Sequence, residues 1–203
     1  MMRFVLLLLM ILINFEVAIA QLPVTSTTSF SNPNHESEHG KNGNYAIDTA
    51  NERNQYVGLW EYNQNGTLFQ VKMEKVDQYL NQGVYNGNVI NYNYADVIMF
   101  KYRLVKNGVE IYNDLNQVWF PKSYNTSIAT KISSANYLYG SFIDQTRKVG
   151  GRVSITKLNT TPEKIIFDVS LGGYYFLNPP GYYDDNQPLF TFPTGGIEMV
   201  KIQ

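Results

Sequence analysis

Residues 67–76 read Thr67-Leu68-Phe69-Gln70-Val71-Lys72-Met73-Glu74-Lys75-Val76, so that Phe69, Val71 and Met73 alternate with Gln70, Lys72 and Glu74. Successive side chains of a strand point to opposite faces, and this alternation therefore specifies a strand with one buried and one wet side. Upstream stands Tyr56-Val57-Gly58-Leu59-Trp60-Glu61-Tyr62, and between the two runs lies Asn63-Gln64-Asn65-Gly66. An Asn-Gly pair supplies the positive φ that a tight two-residue turn requires, so residues 56–76 are expected to form a β-hairpin.

The same reading carries through the rest of the chain. Alternation returns at 97–105, and Lys106-Asn107-Gly108 makes a turn into Val109-Glu110-Ile111-Tyr112, a second expected hairpin. Three more strand-like runs cover 136–143, 151–158 and 164–171, and a last one covers 196–202. Residues 77–96 lose the pattern to Asn81-Gln82-Gly83 and Asn86-Gly87-Asn88 and are expected to be a long connection with one short strand. Short strands at this spacing predict a mostly β fold, an antiparallel meander curled into a barrel, with a β-sandwich as the alternative. Closing the sheet would remove the edges through which β proteins associate.

Three segments divide the sequence. In residues 1–20, Arg3 precedes an apolar run over 4–13, and Ala18-Ile19-Ala20 offers small residues for cleavage before Gln21, the layout of a signal peptide. The run is about half the ~20 apolar residues that span a bilayer, so no transmembrane segment is expected in the mature chain. Export to the periplasm or beyond follows from that layout. Residues 21–54, rich in Ser, Thr, Asn, Pro and Gly, show no period and read as a flexible leader, disordered or laid across the domain. Residues 55–203 form the antiparallel domain, and the mature chain of about 180 residues suits a single core.

Composition excludes several activities. Sixteen Lys and Arg balance seventeen Asp and Glu without a basic stripe, so nucleic acid is not an expected partner. With no Cys, the chain has neither disulfides nor thiol catalysis. The two histidines both fall in His35-Glu36-Ser37-Glu38-His39, which matches H-E-x-x-H. A zinc protease needs that motif on a stable helix, and here Pro33 and Gly40 flank it with no apolar helical face, so no metal is assigned. The domain itself contains no histidine for a Ser-His-Asp triad. Asp184, Asp185 and Glu198 are the pool for a carboxylate hydrolase, but nothing in the sequence sets one acid opposite another. No catalytic residue or cofactor is assigned, and a non-enzymatic protein is expected.

Two candidate binding sites remain. Trp60, Phe69, Phe100, Trp119, Tyr137 and Tyr139 are an aromatic set that would line the interior of a barrel and hold a small apolar ligand, or else fill it. Barrels of about 8 strands have room for one such ligand. Tyr174, Tyr175, Tyr182 and Tyr183 form a second set, read as an aromatic loop for a cell-surface partner or a sugar. The sequence leaves the oligomeric state open.

Gly58-x-Trp60 on the first strand of the domain resembles the signature of lipocalins and other calycin barrels, in which the Trp closes one end. A longer resemblance joins Tyr56-Val57-Gly58-x-Trp60-Glu61-Tyr62 and Asn65-Gly66-Thr67 to Tyr102-Arg103-Leu104-Val105-Lys106-Asn107-Gly108-Val109-Glu110-Ile111. It continues through Asp144-x-Thr146-Arg147, Gly151-Arg152-Val153-x-Ile155-x-Lys157 and Pro193-x-Gly195. Over residues 56–203 the chain resembles a family of exported proteins from Bacteroidota classed as a domain of unknown function. The resemblance implies compartment and architecture and carries no catalytic residues.

Overall fold

The computed structural model describes residues 22–29, 41–118, 127–134, 136–176 and 185–203, with the side chains of 130–134 and 171–176 excepted. Among these residues eleven strands make one sheet: β1 (Ser26–Ser29), β2 (Asn44–Ile47), β3 (Gly58–Gln64), β4 (Thr67–Tyr85), β5 (Asn88–Lys106), β6 (Val109–Asn113), β7 (Ser127–Ser134), β8 (Tyr137–Asp144), β9 (Val149–Leu158), β10 (Lys164–Phe176) and β11 (Ile197–Lys201). One 3-10 turn, Glu52–Gln55, precedes β3. No helix among the described residues is long and apolar enough to cross a membrane.

The hydrogen bonding runs in a ring. From β5 the neighbours are β4, β3, β11, β10, β9, β8 and β7, and β7 pairs back onto β5 through Ile98, Met99 and Phe100. Every pair in this circuit is antiparallel. All strands belong to one sheet, whereas the sandwich alternative would need two. The ring joins β3 to the end of the chain, where Lys201 stands opposite Trp60 and the Leu59 amide donates to the Gln203 carbonyl at 2.9 Å. Gly58 allows that approach: at φ 135 a Cβ would lie 2.2 Å from the Gln203 oxygen.

Both hairpins expected from the Asn-Gly pairs are present, with Asn65 and Gly66, and Asn107 and Gly108, at positive φ. The segment 77–96 differs from the expected long connection. β4 and β5 are each 19 residues long and pair from Thr67↔Lys106 to Tyr85↔Asn88 around a third Asn-Gly turn at Asn86-Gly87. Ladder hydrogen bonds hold these Asn-rich residues extended although their side chains carry no alternation. A bulge between Val76 and Tyr79, with Gln78 at φ 52, marks the change of character.

Beyond that bulge the hairpin leaves the ring. Pairing of β3 with β4 stops at Met73, and pairing of β7 with β5 begins at Ile98. The remainder, residues 79–95, is an arm of roughly 23 Å at about 3.3 Å per residue for its seven β4 positions. Its β5 edge is met by β2, parallel at Tyr45↔Tyr94 and Ala46↔Ala95, and β1 adds outside β2. The segment read as a flexible leader thus contributes two strands and a 3-10 turn. Their order comes from the edge of β5 and not from any period of their own.

The interior of the ring is aromatic. Phe69, Phe142, Phe167, Tyr102 and Phe192 are at most 4% exposed, and the Phe69 ring centroid lies 5.4–6.3 Å from the other four. Edge-to-face and offset contacts at this spacing add to the burial of each ring.

Candidate functional site

The sequence-selected aromatics divide between places. Trp60, Phe69 and Phe100 meet in the core; Phe100 packs on Phe142 at 5.7 Å, and the Trp60 indole Nε1–H donates to the Tyr56 carbonyl at 2.7 Å. The ammonium groups of Lys157 and Lys201 lie 4.8 and 5.5 Å from the centre of the Trp60 ring system. Tyr137 and Tyr139 alternate with the buried Leu138 on β8 and so stand on the outer face, where Tyr139 lies under the Arg152 guanidinium at 5.2 Å. Trp119, Tyr182, Tyr183 and Asp184 lie outside the described residues, as do His35 to His39 and the expected signal peptide. Tyr174 and Tyr175 belong to strand β10, with Tyr175 opposite Gly150, and not to a loop. Aromatic residues favour extended backbone, which accounts for that difference.

Of the acid pool, Asp185 and Glu198 are each paired with a cation. Arg147 grips Asp185 with two nitrogens and holds its carboxyl down at about 2, with the Gln187 amide assisting. Glu198 pairs with Lys164 at 2.7 Å. Among the described residues no three His, Cys, Asp or Glu side chains converge as a metal site. Asp144, fully buried, accepts from the amides of Thr146, Arg147 and Thr191 and from the Thr191 hydroxyl, and so ties the β8–β9 turn to the segment before β11. Each of these donors belongs to the fold itself.

The most distinctive polar cluster sits where the arm leaves the ring. Arg53, 5% exposed, bonds Asp48 at 2.9 Å, Asp77 at 2.8 Å and Asp96 at 3.2 Å, and donates to the carbonyls of Val97 and Val76 at 3.0 and 3.3 Å. Asp96 in turn accepts from the Gln78 amide inside the bulge, from the Tyr45 hydroxyl and from the Asp48 amide. Burial, and then Asp96, push the Tyr45 hydroxyl well above its ordinary value. Burial opposes the charge of Arg53, but its carboxylate partners outweigh it and hold the guanidinium above its ordinary value. This joint bolts leader, bulge and ring together. Further out, the Tyr92 and Tyr94 hydroxyls donate to the carbonyls of Pro23 and Leu22, laying the leader along the arm.

The arm itself is unlike the rest of the molecule. Residues 78–95 contain no Asp, Glu, Lys, Arg or His. Its end exposes Val84 (41%), Tyr85 (68%), Val89 (44%) and Ile90 (65%), with Val84 directly opposite Val89. Among the described residues no strand pairs with the outer edge of β4 beyond Met73, so the backbone donors and acceptors of 79–85 that do not pair with β5 face outward. Sequence reasoning passed over this stretch because it lacks alternation; the signal that marks it is an uncharged run between Asp77 and Asp96.

The model of the Family of unknown function (DUF6705) matches residues 1–201 of the sequence. The chain belongs to this family. No curated protein matches it, and no solved structure matches it. For this member of the family, function has to be read from geometry: a ring packed with aromatic side chains, a charged joint, and an uncharged arm with a free edge.

Proposed function

We propose that the chain is an exported, non-enzymatic interaction protein, in which a calycin-like barrel serves as a scaffold and the β4–β5 arm makes the contact. One observation carries the reading. Two of the aromatics that would line a ligand cavity, Trp60 and Phe69, are 0% exposed in one core cluster, whereas Val84, Tyr85, Val89 and Ile90 are open at the end of the arm, with Val84 directly opposite Val89. Apolar groups grouped on a surface mark contact sites, while scattered ones are ordinary. The calycin reading is supported by Gly58-x-Trp60 on the first ring strand and by a cation from the last strand laid on the indole. Export is supported by the layout of residues 1–20.

The test has two parts, both on the mature chain from Gln21 to Gln203 purified from its own host. Native mass spectrometry reads whether a small molecule accompanies the protein; a stoichiometric apolar ligand would replace this reading by that of a carrier. A photo-crosslinking residue at position 90 is expected to give macromolecular adducts, and one at position 198, on the outer face of β11, is not. No adduct from position 90 would remove the arm as the contact element.

A further inference from the structure

Resting on that reading, we infer that the arm's partner is a second copy of this chain, joined edge to edge through residues 79–85 of β4 about a two-fold axis at Gln82. An antiparallel pair of identical strands is related by a two-fold, so each residue meets the one at equal distance on the other side of the axis. Centred on Gln82, the axis sets Tyr85 against Tyr79 of the partner subunit, Val84 against Leu80 of the partner subunit, and Gln82 against its own copy. These pairs are aromatic with aromatic, apolar with apolar and amide with amide, each of a kind that stabilises a β ladder.

Three observations favour self-pairing. The first is electrostatic: a charged edge would meet its own sign across the axis, and residues 78–95 carry no charge. Edge strands that stay single are guarded by Lys, Pro, bulges or short length, and this one has seven residues, no charge and no Pro. The second is geometric. The bulge between Gly83 and Val84 places its extra residue, Ile90, on β5, so β4 itself runs regularly through the axis. The third is that β2, with Asn42 and Gly43, takes the β5 side of the arm at Tyr92, Tyr94 and Ala95, whereas no described strand meets the outer edge of β4 anywhere over 79–85. Isologous pairing consumes that edge and closes the assembly at two chains.

The experiment is sedimentation velocity of the mature full-length chain over a concentration series, with Gln82→Lys and Gln82→Glu variants. The wild type is expected to form a concentration-dependent dimer. Gln82→Lys sets two ammonium groups against each other and is expected to raise the dissociation constant at least tenfold, or about 1.4 kcal/mol; Gln82→Glu acts likewise. Mixing the two variants restores the dimer, since one charge of each sign then meets at the axis. That rescue also shows that both variants are folded. A wild type that stays monomeric throughout, or a dimer indifferent to Gln82→Lys, overturns the inference. If position 90 still crosslinks to another macromolecule while the chain is monomeric, self-pairing falls and the interaction reading stands; if neither occurs, both fall.

Discussion

Replacing Arg53 by Met should cost the fold about 3–5 kcal/mol, the penalty of leaving buried charges without their partner. Asp48 and Asp96 have side chains 1% and 5% exposed, and among the described residues the guanidinium is the one cation bonded to both. Met keeps most of the aliphatic stem, and the backbone amide of residue 53 still donates to Asp48 at 3.1 Å, but every side-chain donor to Asp48, Asp96, Val76 and Val97 is lost. With a urea dependence of about 2 kcal/mol per molar, the unfolding midpoint should fall by roughly 2 M. Far-UV circular dichroism against urea reads this, and amide exchange at Tyr45 and Ala46 reads whether β2 detaches first. Two controls locate the effect. Asp77, 74% exposed, bonds the same guanidinium, yet Asp77→Asn should cost less than 1 kcal/mol because solvent screens that pair. Adding Asp48→Asn and Asp96→Asn to Arg53→Met should recover at least half the loss, because the stranded charges are gone. An Arg53→Met variant within 1 kcal/mol of wild type, or an Asp77→Asn variant equally damaged, would refute the claim that the joint depends on buried charge.

Other expectations follow from named contacts. Gly140→Ala would set a Cβ 2.2 Å from the Ile128 carbonyl oxygen and 2.4 Å from the Ala129 Cα, so β7 and β8 should separate and the thermal midpoint should drop by several degrees. Asp144→Asn exchanges an acceptor for a donor facing the Thr146, Arg147 and Thr191 amides and should cost about 3 kcal/mol in denaturant titration. Burial raises the Glu74 carboxyl, but its bonds to Lys101 and Lys72 outweigh burial and hold it below the ordinary 4.5. Its contribution is therefore present above that value and lost as pH falls through the folded one; the acid limb of stability against pH should be shallower in Glu74→Gln. Lys157→Ala and Lys201→Ala should each cost about 0.5–1 kcal/mol through the Trp60 ring, with a shift in tryptophan emission.

The alternation at Phe69, Val71 and Met73 and the Asn-Gly turns made the first and second hairpins legible, because both signals are local. The ring strands β8 to β11 were legible for the same reason. β1 and β2 were not, since Ser26–Ser29 and Asn44–Ile47 are strands only because β5 offers them an edge. The outer half of the β4–β5 hairpin hid behind Asn-rich composition, and its order depends on cross-strand bonds that no window of sequence displays. Of the aromatic set, Trp60, Phe69 and Phe100 lie buried in one core. Tyr137 and Tyr139 were assigned inward because aromatic identity was weighed above the parity set by Leu138. The joint needed Arg53 matched to Asp96 across the fold, a pairing visible only in three dimensions.

The register of Trp60 with Lys201 has a bearing on how such a chain acquires its shape. Synthesis from the N-terminus delivers β3 early, but the edge of β3 that faces away from β4 stays open until β11 arrives from the opposite end of the domain. Contacts so distant in sequence slow folding, because the intervening loop must close before they form. Vectorial synthesis therefore yields hairpins first and a closed circuit last, and in that interval the chain remains threadable.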